Sequence, residues 1–213
     1  MVLIMMDLRP AEWVGHAVFH PVEGFEDMRW KKSGSLKIAF GIVLLLFLSE
    51  IAYGRLYGFQ FYAPNDKLFN IVPYIVKTIV LFAAWVVGNW SVCTLLDGEG
   101  TMRNICVYSA YALVPYIAQT FICVVLSHFL IRDEYVFLEV IHVIGVGWSV
   151  ILMFSAIRSV HQYSAGKTVL AIALTIAAMF VMLALAVLVL ALVQNVAVFI
   201  STVYAEISYR IRV

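Results

Sequence analysis

Charge is scarce in this sequence: Asp, Glu, Lys and Arg make up 13% of its 213 residues, about half the roughly 25% usual in a soluble domain. So little polar surface could not cover a soluble fold whose residues are 64% hydrophobic. A formal net charge of +1, with the basic residues scattered or at membrane edges, gives no argument for a nucleic-acid or acidic-substrate partner, and no nucleic acid is expected. Cysteine is nearly missing too. Cys93, Cys106 and Cys123 form no C-x-x-C pair and have no histidine at metal spacing, so they are read as reduced packing residues. No nucleophile elbow, H-E-x-x-H, Walker or G-x-G-x-x-G motif occurs. Neither catalytic residues nor a cofactor or metal is expected. The opening Met-Val-Leu-Ile-Met-Met is too short for a signal h-region and is followed by Asp7 and Glu12, so an uncleaved chain is expected.

What is present is apolar length. Mean hydropathy is +0.98, and five runs, about 36–53, 71–95, 105–130, 136–157 and 168–193, approach or exceed the roughly 20 residues that cross a bilayer core. Unpaired backbone groups in lipid are costly and the runs are too long for barrel strands, so they predict helices. The expected fold is an all-α integral membrane protein, a five-span transmembrane helix bundle over 36–193, with amphipathic segments at both ends. In residues 1–35, Trp13, Val14, Ala17 and Val18 recur at helical spacing, and Val22, Phe25 and Met28 alternate with acids. That pattern predicts short helices in the headgroup region, apolar face down. In 194–213, Ile200, Tyr204, Ile207 and Ile211 form one stripe with Glu206, Arg210 and Arg212 off it, an amphipathic C-terminal helix. Eight Lys and Arg flank the N-terminal side and five the other. Lys77, inside the second run, is left out. This balance predicts a cell-membrane protein with a cytoplasmic N-terminus and an extracytoplasmic C-terminus.

Intramembrane ionisable groups are functional candidates first. Glu50 and Lys77 each lie about six residues, roughly 9 Å of rise, from the outer ends of neighbouring spans, so an ion pair is expected there. It is either a structural lock or part of a gated polar path. His128, Glu139 and His142 cluster near outer span ends; zinc binding is the sharper reading and interfacial anchoring the preferred one. Asn89 is expected to hydrogen-bond a neighbouring helix and Trp90 to mark the interface. Gly145, Gly147 and the alanines of the fifth run (171, 173, 177, 178, 184, 186 and 191) are expected to let helices approach closely. Between the second and third runs stands Asp97-Gly98-Glu99-Gly100-Thr101. Asp97-Gly98 and Gly100 would supply positive φ for a tight turn. Thr101 would cap the next helix, and Arg103 would meet Asp97 or Glu99. Its acidity, and the lack of a following lysine, argue against a phosphate cradle. Pro115 would bend the third span. The turn is either a well-made helical hairpin or a docking surface.

His20-Pro21-Val22-Glu23-Gly24-Phe25, Asp97-Gly98-Glu99-Gly100-Thr101 and Ala110-Tyr111-Ala112-Leu113-Val114-Pro115 together resemble the Yip-domain family, the Ypt/Rab-interacting membrane proteins, in its bacterial form. The last element is similar to that family's Gly-Tyr-Ser-Leu-x-Pro, with Ala at its Gly and Ser positions. The resemblance implies a non-enzymatic multi-pass protein. Here the family's Asp-Leu-Tyr-Gly-Pro element is replaced by His-Pro-Val-Glu-Gly-Phe and the long cytosolic N-terminal region is missing, so a Rab-type GTPase is not an expected partner. The expected function is an adaptor or scaffold assembling with other membrane proteins, in a transporter complex or by self-association. The contact candidates are His20, Pro21 and Phe25; Asp97, Gly98, Glu99, Gly100 and Arg103; and Tyr204, Ile207 and Arg210. The rival is a small transporter, channel or accessory permease subunit built on Glu50, Lys77 and the Pro115 bend. A membrane-bound hydrolase is third.

Overall fold

The computed structural model describes residues 9–61 and 69–212. Asp7, and Pro64-Asn65-Asp66-Lys67 of the longest connection, lie outside the described residues. Two short helices, α1 (Glu12–Phe19) and α2 (Glu23–Trp30), precede five long ones. These are α3 (Leu36–Leu56), α4 (Val72–Leu95), α5 (Met102–Leu126), α6 (Tyr135–His161) and α7 (Ala165–Arg212). No strand occurs among the described residues. Five helices are long and apolar enough to cross a membrane. The protein is an all-α, multi-span membrane protein.

Helix α5 is the hub: it packs against α3, α4 and α6, while α7 lies mainly along α4. Its residues Ile105, Ala110, Tyr111 and Ala112 are fully buried. In lipid no hydrophobic force drives helices together, so such close packing works through dispersion and polar contacts. Gly145 of α6 serves this: a Cβ there would collide with the Gln119 side chain of α5. Gly147 faces open space, so it has no such role, because two residues along a helix turns a side chain to another face. Of the α7 alanines only Ala171 is buried; Ala173 and Ala177 are exposed beside the packed Thr175, and Ala184, Ala186 and Ala191 lie farther along, where the helix is exposed.

Two local features shape the bundle. Pro115 supplies no N–H, and α5 breaks just before it at Leu113 (φ −85°, ψ −6°). The N–H of Tyr116 donates to Ser149 Oγ of α6 at 2.9 Å. In α4, residues Val76–Val80 form a π-helical turn, a local widening that often sits at functional places.

The α1–α2 hairpin is part of the bundle. Its apolar face, expected to rest on lipid, carries Trp13, Ala17, Phe25 and Met28 into the core shared with α5 and α6. Polar bonds fix it there. The Trp148 indole of α6 donates to Val18 O (3.0 Å) and Ser159 Oγ donates to Phe25 O (2.8 Å). Gly24 is needed where the two short helices cross, since a Cβ would lie 2.8 Å from Ala17 Cα. At the other end, α7 runs unbroken through Gln194-Asn195. Its 48 residues extend about 72 Å at 1.5 Å per residue.

Candidate functional site

Two polar assemblies stand out, one inside the bundle and one on the face where α5 begins. The inner one is built by the two irregularities just described. Glu50 of α3 is 4% exposed. Its Oε2 accepts from Lys77 Nζ at 2.6 Å and its Oε1 from Tyr116 Oη at 2.5 Å. Lys77 sits in the π-turn and Tyr116 directly follows Pro115. The Glu50–Lys77 pair expected from span depth is thus present. Tyr116 is a third member that sequence reasoning missed, because a tyrosine after a proline in an apolar run carries no sign of its partner. Chemically this is a carboxylate with both oxygens satisfied. The lysine side chain remains 58% exposed, free to turn its charged end toward the headgroups.

The second assembly lies around the Asp97–Thr101 turn. Asp97 takes the left-handed conformation (φ 55°), and Gly98 N–H closes the end of α4 on Cys93 O at 2.7 Å. Gly98 and Gly100 do not have positive φ, contrary to the expectation for this turn. They are glycine for closeness instead. A Cβ on Gly98 would lie 2.5 Å from both His161 Nδ1 and Tyr163 Oη, and one on Gly100 would collide with Val160 and His161. The turn therefore lies flat on the end of α6.

His161 is the centre of that contact. Its Nδ1 accepts from Gly100 N–H at 3.3 Å, and its Nε2 lies 3.1 Å from Asn89 Oδ1. Accepting on one nitrogen and donating from the other defines a neutral imidazole. Asn89 Nδ2 donates onward to Thr175 Oγ1 of α7 at 3.1 Å. One chain of hydrogen bonds thus ties turn, α6, α4 and α7. Tyr163 stacks on His161 and donates to Cys93 O and Leu96 O; burial pushes its phenol above the ordinary range.

Thr101 caps α5, accepting from Asn104 N–H at 3.3 Å. Arg103 does not meet Asp97 or Glu99. Its guanidinium donates to Gly34 O at 3.5 Å, while Glu99 pairs with Arg29 of α2, which also donates to Ser159 O. The reason is the hairpin: α2 is held so that Arg29 reaches the turn from above. Sequence reasoning had no means to bring residue 29 to residue 99. The nearest available signal was the paired glycines, which marked a close approach without saying to what.

The remaining candidates are dispersed. Phe25 is fully buried, the His20 ring lies tilted against that of His16, and Pro21 lies between α1 and α2. Tyr204, Ile207 and Arg210 are exposed on α7, with Arg210 paired to Glu206. His128 turns its ring onto Val124 O, whereas Glu139 and His142 are exposed on α6. No cluster of three or more metal-binding side chains forms among the described residues. Cys93, Cys106 and Cys123 are all free.

The fold and these assemblies define a small polytopic membrane protein whose polar groups bridge neighbouring helices. Residues 15–189 match the model of the Yip1 domain, and the chain belongs to the Yip1-domain family. The match begins inside α1, so the docked hairpin belongs to the family's domain and is not an appendage. No curated protein and no solved structure matches the chain. The family is one of membrane proteins not known as enzymes.

Proposed function

We propose that this Yip1-family protein is a non-enzymatic adaptor that assembles with other integral membrane proteins, its N-terminal face in the cytoplasm and its C-terminus outside. One observation carries the reading. Helix α7 is more than twice the roughly 30 Å of a bilayer core, and from Ala184 to Ile211 every residue except the half-buried Ser208 is exposed. Val196, Phe199, Ile200 and Val203 lie in that uncovered part, past the residues where α7 meets Asn89 and Gly88 of α4. Apolar patches of this extent beyond the membrane mark an interaction surface. Its continuation, the Ile200, Tyr204, Ile207 and Ile211 stripe, presents the same face to a partner helix. Asp97 and Glu99, exposed on the opposite face, add a second, charged contact.

Photo-crosslinking in native membranes tests this. A reactive residue at Tyr204 or Ile207 is expected to give protein adducts of defined mass, and one at Val150, exposed on α6, only lipid adducts. Lipid adducts alone at both α7 positions would overturn the adaptor reading. The Glu50–Lys77–Tyr116 assembly favours one alternative, an accessory subunit of a transporter. Flux through reconstituted vesicles that disappears in Glu50→Gln would support it.

A further inference from the structure

On the face where α5 begins, a polar cleft of about 530 Å³ opens between the α2 end, the turn and the first residues of α5. Sites of roughly 300–1,000 Å³ are typical for small ligands. Three cations from two parts of the chain line it: Arg29 and Lys32 at the end of α2, and Arg103 of α5, together with Ser33, Thr101 and Asn104. Its one carboxylate, Glu99, is already neutralised by Arg29. Lys32 and Arg103 are therefore in excess, and the acidity that argued against a phosphate site in the isolated turn is cancelled by a residue far away in sequence. Among the described residues, Arg103 is engaged by its 3.5 Å contact with Gly34 O alone, and Lys32 has no ion-pair partner.

A further observation points to a ligand. Tyr108 lines the cleft and is 2% exposed, its ring against Phe25. Its hydroxyl has no hydrogen-bond partner among the described residues. The oxygen is not sealed in the core but is reached from the cleft, so it is available to donate to a group held there. A planar guanidinium, an ammonium and a phenol converge here. All donate, and a tetrahedral group with several acceptor oxygens meets them better than a planar carboxylate.

We propose that this cleft binds a phosphate ester or phosphate anion, the group that a phospholipid headgroup and a free phosphate compound share. The full chain, in nanodiscs of equal parts phosphatidylcholine and phosphatidic acid, is released and examined by native mass spectrometry. In parallel, unfolding in detergent is followed with sodium phosphate against sodium chloride at matched ionic strength. The protein is expected to keep phosphatidic acid in preference to phosphatidylcholine. Retention should fall about a hundredfold in Lys32→Gln/Arg103→Gln, since each lost charged hydrogen bond is worth about tenfold. Both side chains are at the surface, so the fold should survive. Tyr108→Phe, which keeps the ring, is expected to lower retention severalfold, whereas Lys37→Gln, exposed on the same face but outside the cleft, should leave it unchanged. A phosphate-dependent rise in unfolding temperature, lost in the same variants and without lipid retention, would assign the site to a soluble phosphate. The proposal is overturned by no preference in either arm, or by an equal loss in Lys37→Gln.

Discussion

Replacing Glu50 by glutamine changes one atom and removes the carboxylate charge that pairs with Lys77. At an effective dielectric of about 20, unit charges roughly 3.5 Å apart attract by about 5 kcal/mol. Most of that is offset by the cost of desolvating both groups. What the variant loses is the charged character of two short hydrogen bonds, to Lys77 and to Tyr116, each worth about 1.5–3 kcal/mol. Glutamine can still accept from Lys77, and Tyr116 can turn its hydroxyl to accept from the new amide. The half-exposed lysine can also swing toward the headgroups. The net expectation is a loss of about 2 kcal/mol for Glu50→Gln and about 3–5 kcal/mol for Glu50→Ala, the usual range for a buried pair broken on one side. If the pair is a lock, Lys77→Met should restore much of the stability of Glu50→Gln, with a coupling energy of about 1–2 kcal/mol in the double-mutant cycle. The assay is titration of detergent-solubilised protein with a denaturing detergent, read by tryptophan fluorescence and checked by helical circular dichroism. The reasoning fails if Glu50→Gln lies within about 0.5 kcal/mol of the parent, or if the two substitutions simply add.

His161→Phe keeps the stacked ring but leaves the Gly100 N–H and Asn89 Oδ1 without a partner. A loss of about 2–4 kcal/mol is expected in the same titration, along with faster labelling of a cysteine placed at Glu99. An unchanged labelling rate would mean that the turn is held by other contacts. Burial and the neighbouring Tyr53 push the Tyr57 phenol, at the end of α3, up from 10 to about 12. The unfolded chain then releases this proton first, so the contribution of Tyr57 is complete below about pH 10 and declines as pH rises toward 12. Comparing the alkaline stability of the parent with Tyr57→Phe checks this; parallel curves over that range would refute it.

The parts of the molecule that the sequence made legible are those governed by local periodicity. Apolar length identified five long helices, although the fifth runs on unbroken to Arg212, well past the expected end at 193. Thr101 announced its cap, and the shared depth of Glu50 and Lys77 brought the pair together, because antiparallel neighbours convert distance along the chain into depth. What escaped depends on which surfaces meet. The apolar stripe of residues 13–28 reads as amphipathic in the sequence, but a stripe does not say whether lipid or protein covers it. Here Phe25 and Met28 found α5 and α6. That one choice propagates: docking the hairpin brings Arg29 to Glu99, diverts Arg103 to Gly34, and closes Tyr108 beneath a cleft of cations. The Asp97–Thr101 turn shows the same lesson in miniature. Its glycines look like turn geometry in one dimension, yet the left-handed residue is Asp97, and the glycines exist because His161, Val160 and Tyr163 leave no room for a Cβ. A glycine beside an acid in a membrane hairpin is therefore better taken as a point of contact whose partner has still to be found. In this chain the partner is the end of α6, and the contact joins the docked hairpin, the turn and α7 into one polar seam across the face where α5 begins.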